Sequence, residues 1–137
     1  MRRVSRGLWR AGIRPELIVT SPFARASETA EIVSEVFELA QSPTIEPLLQ
    51  PGTKPDRLRV VLRTHIDLGS VLIVGHEPSL NHLISSLCGS RQPLLKKAGV
   101  AEVSIDREEP RHGRLTWLAE PKDLVDLAHG QLPGRQP

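Results

Sequence analysis

One cysteine, no tyrosine and only 3% aromatic residues mark this 137-residue chain, and each scarcity removes a class of explanation. A lone Cys88 closes no internal disulfide and builds no thiolate metal site by itself; it reads as a small apolar residue buried in a helix. So few aromatics leave little for bases to stack on, and the arginines are spread along the chain instead of forming a stripe. No nucleic-acid partner is expected. The longest apolar runs, such as Val71-Leu72-Ile73-Val74, are far too short to span a bilayer, and no stretch of signal-peptide length follows Arg2-Arg3-Val4-Ser5-Arg6. The expectation is a cytoplasmic protein with no membrane partner. Metal-ligand spacings are missing too, so neither a metal nor another cofactor is expected.

What is present suits one domain. Hydrophobic residues make up an ordinary 39%, and the length allows a single core but not two. Net charge is only +2, a modest bias that fits an anionic small substrate or a phosphorylated side chain. The chain opens on a helix, with Val4, Leu8 and Ala11 on one face and Gly12 as its stop. Leu17-Ile18-Val19-Thr20 is short, apolar and rich in β-branched residues, as a strand buried on both faces should be. Ser21-Pro22 offers a serine cap and a proline for the first turn of the next helix. That helix buries Ala26, Ala30, Val33, Phe37 and Ala40, and Ser42-Pro43 ends it. A proline-rich loop runs from Thr44 to Lys54, and a helix starts near Pro55-Asp56 with Leu58, Val61, Leu62 and His65 on one side. Val71–Val74 is the strongest strand in the sequence, followed by a helix carrying Leu80, Leu83, Ile84 and Leu87. The segments 101–106 and 114–118 alternate polar and apolar residues and pair as a hairpin. A short helix near Lys122 to Ala128 comes last. This order predicts a three-layer α/β/α fold with a mostly parallel sheet, a domain over residues 1–128 and a disordered tail over 129–137.

In such sheets the site lies beyond the carboxyl ends of the strands. Two ends carry usable chemistry. Ser21-Pro22-Phe23-Ala24-Arg25 puts an arginine in the first turn of a helix, and Gly75-His76-Glu77-Pro78 brings a histidine straight off a buried strand. An arginine fork and a helix N-terminus both favour phosphate oxygens. Taken singly, Arg25 reads as well as a solvated helix residue, and His76 as a loop residue after a strand.

Together the two segments resemble the histidine phosphatase superfamily, which includes the phosphoglycerate mutases and the SixA-type phosphohistidine phosphatases. The run from Ser21 to Ala30 is similar to the family's second arginine motif, and Gly75-His76-Glu77-Pro78 to its second histidine motif. The closing strand, Gly113-Arg114-Leu115-Thr116-Trp117-Leu118, with the helix at Pro121, resembles the SixA-type end. The resemblance implies hydrolysis of phosphohistidine or a small phosphomonoester through a phosphohistidine intermediate, with Arg25, His76 and Ser21 holding the phosphoryl group and no metal. A phosphorylated protein or small phosphomonoester is the implied partner.

The resemblance also implies a nucleophilic histidine in an Arg-His-Gly motif after a first strand, upstream of the opening helix. It implies that this strand lies centrally, between the strands ending at Thr20 and Val74. The sequence has no such segment. Its single Arg-His-Gly, at Arg111-His112-Gly113, sits in the hairpin connection, where Gly113 is a turn residue and His112 is exposed. His65, His82 and His129 belong to no motif, Lys96-Lys97 reads as a solvated loop pair, and Glu77 has no assigned role as proton donor. A first strand would bury four or five apolar side chains at about 1.5–3 kcal/mol each, on the order of a whole domain's stability. The expectation is therefore that Met1 is an internal methionine of a longer protein, and that the 137-residue chain is inactive alone. The alternatives are a non-catalytic module that clamps phosphate with Arg25 and His76, and a basic interaction domain with no site.

Overall fold

Leu17-Ile18-Val19-Thr20 and Val71-Leu72-Ile73-Val74 pair with each other at the centre of a parallel sheet. The computed structural model describes residues 1–89, 95–97 and 99–130. Its elements are α1 (Arg2–Arg10), β1 (Leu17–Thr20), α2 (Ala24–Val36), β2 (Thr44–Ile45), a 3-10 turn at Pro47–Leu49, α3 (Pro55–Thr64), β3 (Val71–Val74), α4 (Ser79–Cys88), β4 (Val100–Ile105), β5 (Gly113–Ala119) and α5 (Pro121–Ala128). One sheet has the order β2-β1-β3, all parallel, and β4 pairs antiparallel with β5.

The layers follow from the two-residue period of the strands. Ile18, Leu72 and Val74 pack toward one core, which α1, α2 and α5 close with Val4, Leu8, Ala30, Val33, Leu124 and Leu127. Val19, Val71 and Ile73 face a second core closed by Leu58 and Val61 of α3 and Leu83 and Leu87 of α4. From the other sheet, Val100 and Trp117 join the first core and Ile105 the second, so both sheets lie in one layer between the same helices. The three-layer α/β/α architecture stands. Helices α1 and α5 meet so closely at Gly7 that a β-carbon there would sit 1.9 Å from the Leu124 carbonyl oxygen.

Several sequence expectations are corrected. No strand separates β1 from β3: residues 17–20 pair one to one with residues 71–74. Both runs are short and apolar on both faces, so each satisfies the other's ladder directly. The break in the layer falls instead between β3 and β4. Serine 21 does not cap α2; the helix starts at Ala24 with Phe23 as N-cap, because Ser21 Oγ turns the chain by accepting the Phe23 N–H at 3.2 Å. The same helix stops at Val36, well before Ser42-Pro43, where Glu38 takes a left-handed φ of 54°. The loop from Thr44 contains the short strand β2 and the 3-10 turn, with Glu46 Oε2 accepting the Leu48 N–H at 3.0 Å. The opening helix, its Gly12 stop at φ 90°, the hairpin and α5 fall where the sequence placed them. Of the tail expected over 129–137, residues 131–137 lie outside the described residues.

Candidate active site

The parallel pairing of Thr20 with Val74 makes β1 and β3 end side by side, so the segments that follow leave the sheet at one edge. The Ser21 N–H donates to the Val74 carbonyl at 3.0 Å and extends the ladder by one bond. Ser21 is fully buried there, and its hydroxyl meets His76 Nε2 at 2.7 Å. This bond joins the two motifs, which are 55 residues apart in sequence. Because Ser21 Oγ accepts the Phe23 N–H, its own hydrogen is available for Nε2 of a neutral imidazole, which leaves Nδ1 as the ring N–H. In the imidazolium form both ring nitrogens donate and Ser21 accepts. Either state fixes the ring's orientation, a role set by the strand register and not by helix capping.

Phe23 supports the same ring. Its centroid lies 5.5 Å from that of His76 with the planes at 73°, an edge-on contact. Phe23 is nonetheless 50% exposed, a large apolar surface beside a polar edge. Sequence reasoning passed over it. The available signal was its position, since one of only two phenylalanines in the chain falls between Ser21 and Arg25.

Arg25 lies in the first turn of α2, at the same carboxyl edge of the sheet, and is exposed. Its guanidinium makes no hydrogen bond or ion pair among the described residues. The fork is therefore available to an anion arriving at that edge. Ser21 and His76 follow β1 and β3 and are in direct contact, and Arg25 lies in the first turn of α2.

On the α4 side, Asn81 locks the segment after His76. Its Nδ2 donates to Glu77 Oε2 at 2.6 Å and to the Leu95 carbonyl at 2.8 Å, while its Oδ1 accepts the Leu95 N–H at 2.7 Å. Asn81 is another residue the sequence reading missed, since an asparagine on a helix gives no motif. Desolvation raises the Glu77 carboxyl above its ordinary value, and the Asn81 bonds and the charge of His82 partly offset the rise. Ser79 Oγ accepts the Gly52 N–H at 3.2 Å and draws in the loop before α3.

His112 sits elsewhere. It is exposed in the turn before β5 and lines a groove with Asp56, Arg59 and Arg63 of α3, where Arg59 Nη1 donates to the Arg111 carbonyl at 2.9 Å. Neither Arg25 nor His76 belongs to that groove. His82 and His129 are exposed, His65 caps α3, and Lys96 pairs with Glu120 at 2.9 Å.

This arrangement resembles known proteins. No family model matches the chain. The phosphohistidine phosphatase SixA of Escherichia coli strain K12 is 30% identical over 121 residues, covering 85% of this chain and 74% of that protein. A solved structure of the protein histidine phosphatase SixA complexed with tungstate superposes with a TM-score of 0.79 at 26% identity, over 90% of this chain and 80% of that one. A putative phosphohistidine phosphatase SixA from Agrobacterium tumefaciens shares the fold, with a TM-score of 0.68 at 19% identity over 88% of this chain and 80% of that one. With two strand ends meeting at Ser21 and His76 and a curated relative at this level of identity, the chain belongs to the SixA-type histidine phosphatases.

Proposed function

We propose that Ser21, Arg25 and His76 form the phosphoryl clamp of a phosphatase acting on phosphohistidine or a small phosphomonoester, presented by a phosphorylated protein or a free ester. The observation that carries this reading is the 2.7 Å bond between His76 Nε2 and Ser21 Oγ at the carboxyl edge of the parallel sheet. It fixes the imidazole at the edge from which α2 starts, and the guanidinium of Arg25, in the first turn of that helix, makes no hydrogen bond or ion pair among the described residues. Phosphoryl transfer needs little more from a protein than positioning and charge stabilisation. The Arg25 fork takes two phosphoryl oxygens, His76 donates to a third, and Ser21 orients His76.

The reaction also needs an attacking group in line with the leaving group. As the new nitrogen–phosphorus bond forms, the bond to the leaving group breaks and its electron pair departs with that group. His76 does not take this role in the proposed clamp, because its Nε2 is held by Ser21 and its other ring nitrogen is assigned to a phosphoryl oxygen. Among the described residues, no second histidine is hydrogen-bonded to Ser21 or His76 or ring-paired with Phe23. The 137-residue chain alone therefore binds phosphate-like anions and turns nothing over. In that state it matches the second reading, a non-catalytic phosphate-binding module.

Titration with tungstate and inorganic phosphate tests the clamp. Wild type binds both, and Arg25→Ala and His76→Ala each weaken binding by tenfold or more, since a hydrogen bond to a charged group contributes about 1.5–3 kcal/mol. Equal affinity in wild type and both variants would remove these residues from the site.

A further inference from the structure

The two phenylalanines of this chain stand at opposite ends of one helix. Phe37 follows the last residue of α2, is 5% exposed and packs edge-on against Trp9 at a centroid distance of 5.6 Å. Phe23 precedes the first residue of α2 and leaves half of its surface in water.

Local structure gives no reason for an aromatic residue at position 23. It is the N-cap of α2, where serine, threonine, aspartate or asparagine would accept a free helix N–H. Phenylalanine has no acceptor, and α2 has no side-chain cap. Core packing gives no reason either, since its ring contact among the described residues is with the imidazole of His76. A residue that serves neither cap nor core marks a place where function overrides local fit. Exposure of the same kind occurs next to it. Among the described residues six large apolar side chains are exposed, and the two most exposed are Ile45 at 60% and Phe23 at 50%. Ile45 ends β2 in register with Thr20, and the Glu46 N–H donates to the Thr20 carbonyl at 2.8 Å, so β1 and β2 end together. Both apolar residues therefore belong to the carboxyl edge that carries Arg25 and His76. Apolar surface around a few polar groups is the composition of a small-molecule site.

We propose that Phe23 determines specificity for the group attached to phosphorus, selecting a flat unsaturated one, such as an aryl ester or an imidazole, over a hydroxylated aliphatic one. This rests on the clamp reading. A phosphoryl oxygen bonded to His76 sits against that ring, and the group carried by phosphorus starts two bonds beyond the oxygen. Phe23 lies one ring contact away from the same imidazole, at 5.5 Å between centroids, so its exposed surface is within reach of that group. A flat ring placed there gains an aromatic contact and takes apolar surface out of water. A hydroxylated chain would turn its hydroxyls toward a ring that offers them no hydrogen bond.

The test is calorimetric titration of the 137-residue protein with methylphosphonate, phenylphosphonate and tungstate, at a pH where both phosphonates are dianions. The two phosphonates offer the clamp the same three oxygens and differ in the group on phosphorus, so the ratio of their affinities cancels any change in the clamp itself. Wild type should bind phenylphosphonate about three- to tenfold more tightly, as expected of one aromatic contact. Phe23→Ala should bring the ratio below twofold, and Phe23→Tyr, which keeps the ring, should retain it. Trp9→Ala removes an exposed aromatic residue at the far end of α2 and should also retain it. With tungstate and methylphosphonate still bound, a wild-type ratio below threefold would overturn the proposal and leave the clamp standing. So would a ratio that stays above twofold in Phe23→Ala, or one that falls equally in Trp9→Ala. Absence of binding by all three anions would overturn the clamp reading and this proposal with it.

Discussion

β1 and β3 are neighbours with nearly the same composition, and they end in different environments. Ile18 and Val19 of β1 are 1% and 0% exposed, because β2 covers one edge, β3 the other, and helices cover both faces. Every residue of β3 stays half-buried. Helices cover its faces too, but only one of its edges is paired among the described residues. Burial of a strand interior thus depends on neighbours in the sheet as much as on helices above and below it. A run of apolar residues shows what a strand requires, not what it receives.

The comparison can be broken by measuring stability on the two sides. Ile18→Ala, on the closed side, should cost about 2–5 kcal/mol in urea unfolding, the range for deleting a buried branched side chain. A cost below about 1 kcal/mol would mean β1 is no more enclosed than β3. Gly7→Ala probes the same side through α1 and α5. Its new β-carbon would meet the Leu124 carbonyl, and overpacking of this kind costs about 1–3 kcal/mol despite alanine's better helix propensity. Stabilisation would show that the two helices part easily. Leu72→Ala, on the open side, should cost less than Ile18→Ala, about 1–2 kcal/mol, since a partly exposed side chain has less transfer free energy to lose. Last, His112→Ala should leave stability within about 0.5 kcal/mol and tungstate affinity unchanged, as its ring is exposed in a groove apart from His76. Weakened tungstate binding in that variant would place Arg111-His112-Gly113 at the site after all.

The sequence made the closed side legible because the signals there are local and periodic. The face of Val4, Leu8 and Ala11, the Gly12 stop and the run from Leu17 to Thr20 each point to one element, and the structure contains them. The motif residues were legible for a related reason: Ser21 and His76 follow strands directly, so the register of β1 on β3 brings them together. What was hidden depended on partners distant in sequence. The strand β2 is two exposed residues with no apolar run of its own, visible only through its pairing with Val19 and Thr20. Ser21 looks like a helix cap in sequence and instead binds His76, which no local pattern reveals. The place of the break in the sheet was misjudged because strand order is a global property, and two strands apolar on both faces pair equally well with each other or across a third.

The central proposal is that Ser21, Arg25 and His76 act as a phosphoryl clamp and that none of them is the attacking group. It is tested most directly by incubating the 137-residue protein with labelled phosphoramidate and assaying for acid-labile, base-stable label on histidine. The account predicts no label, because Ser21 holds Nε2 of His76 and His112 lies in another groove. Stoichiometric label on His76 or His112 would contradict it.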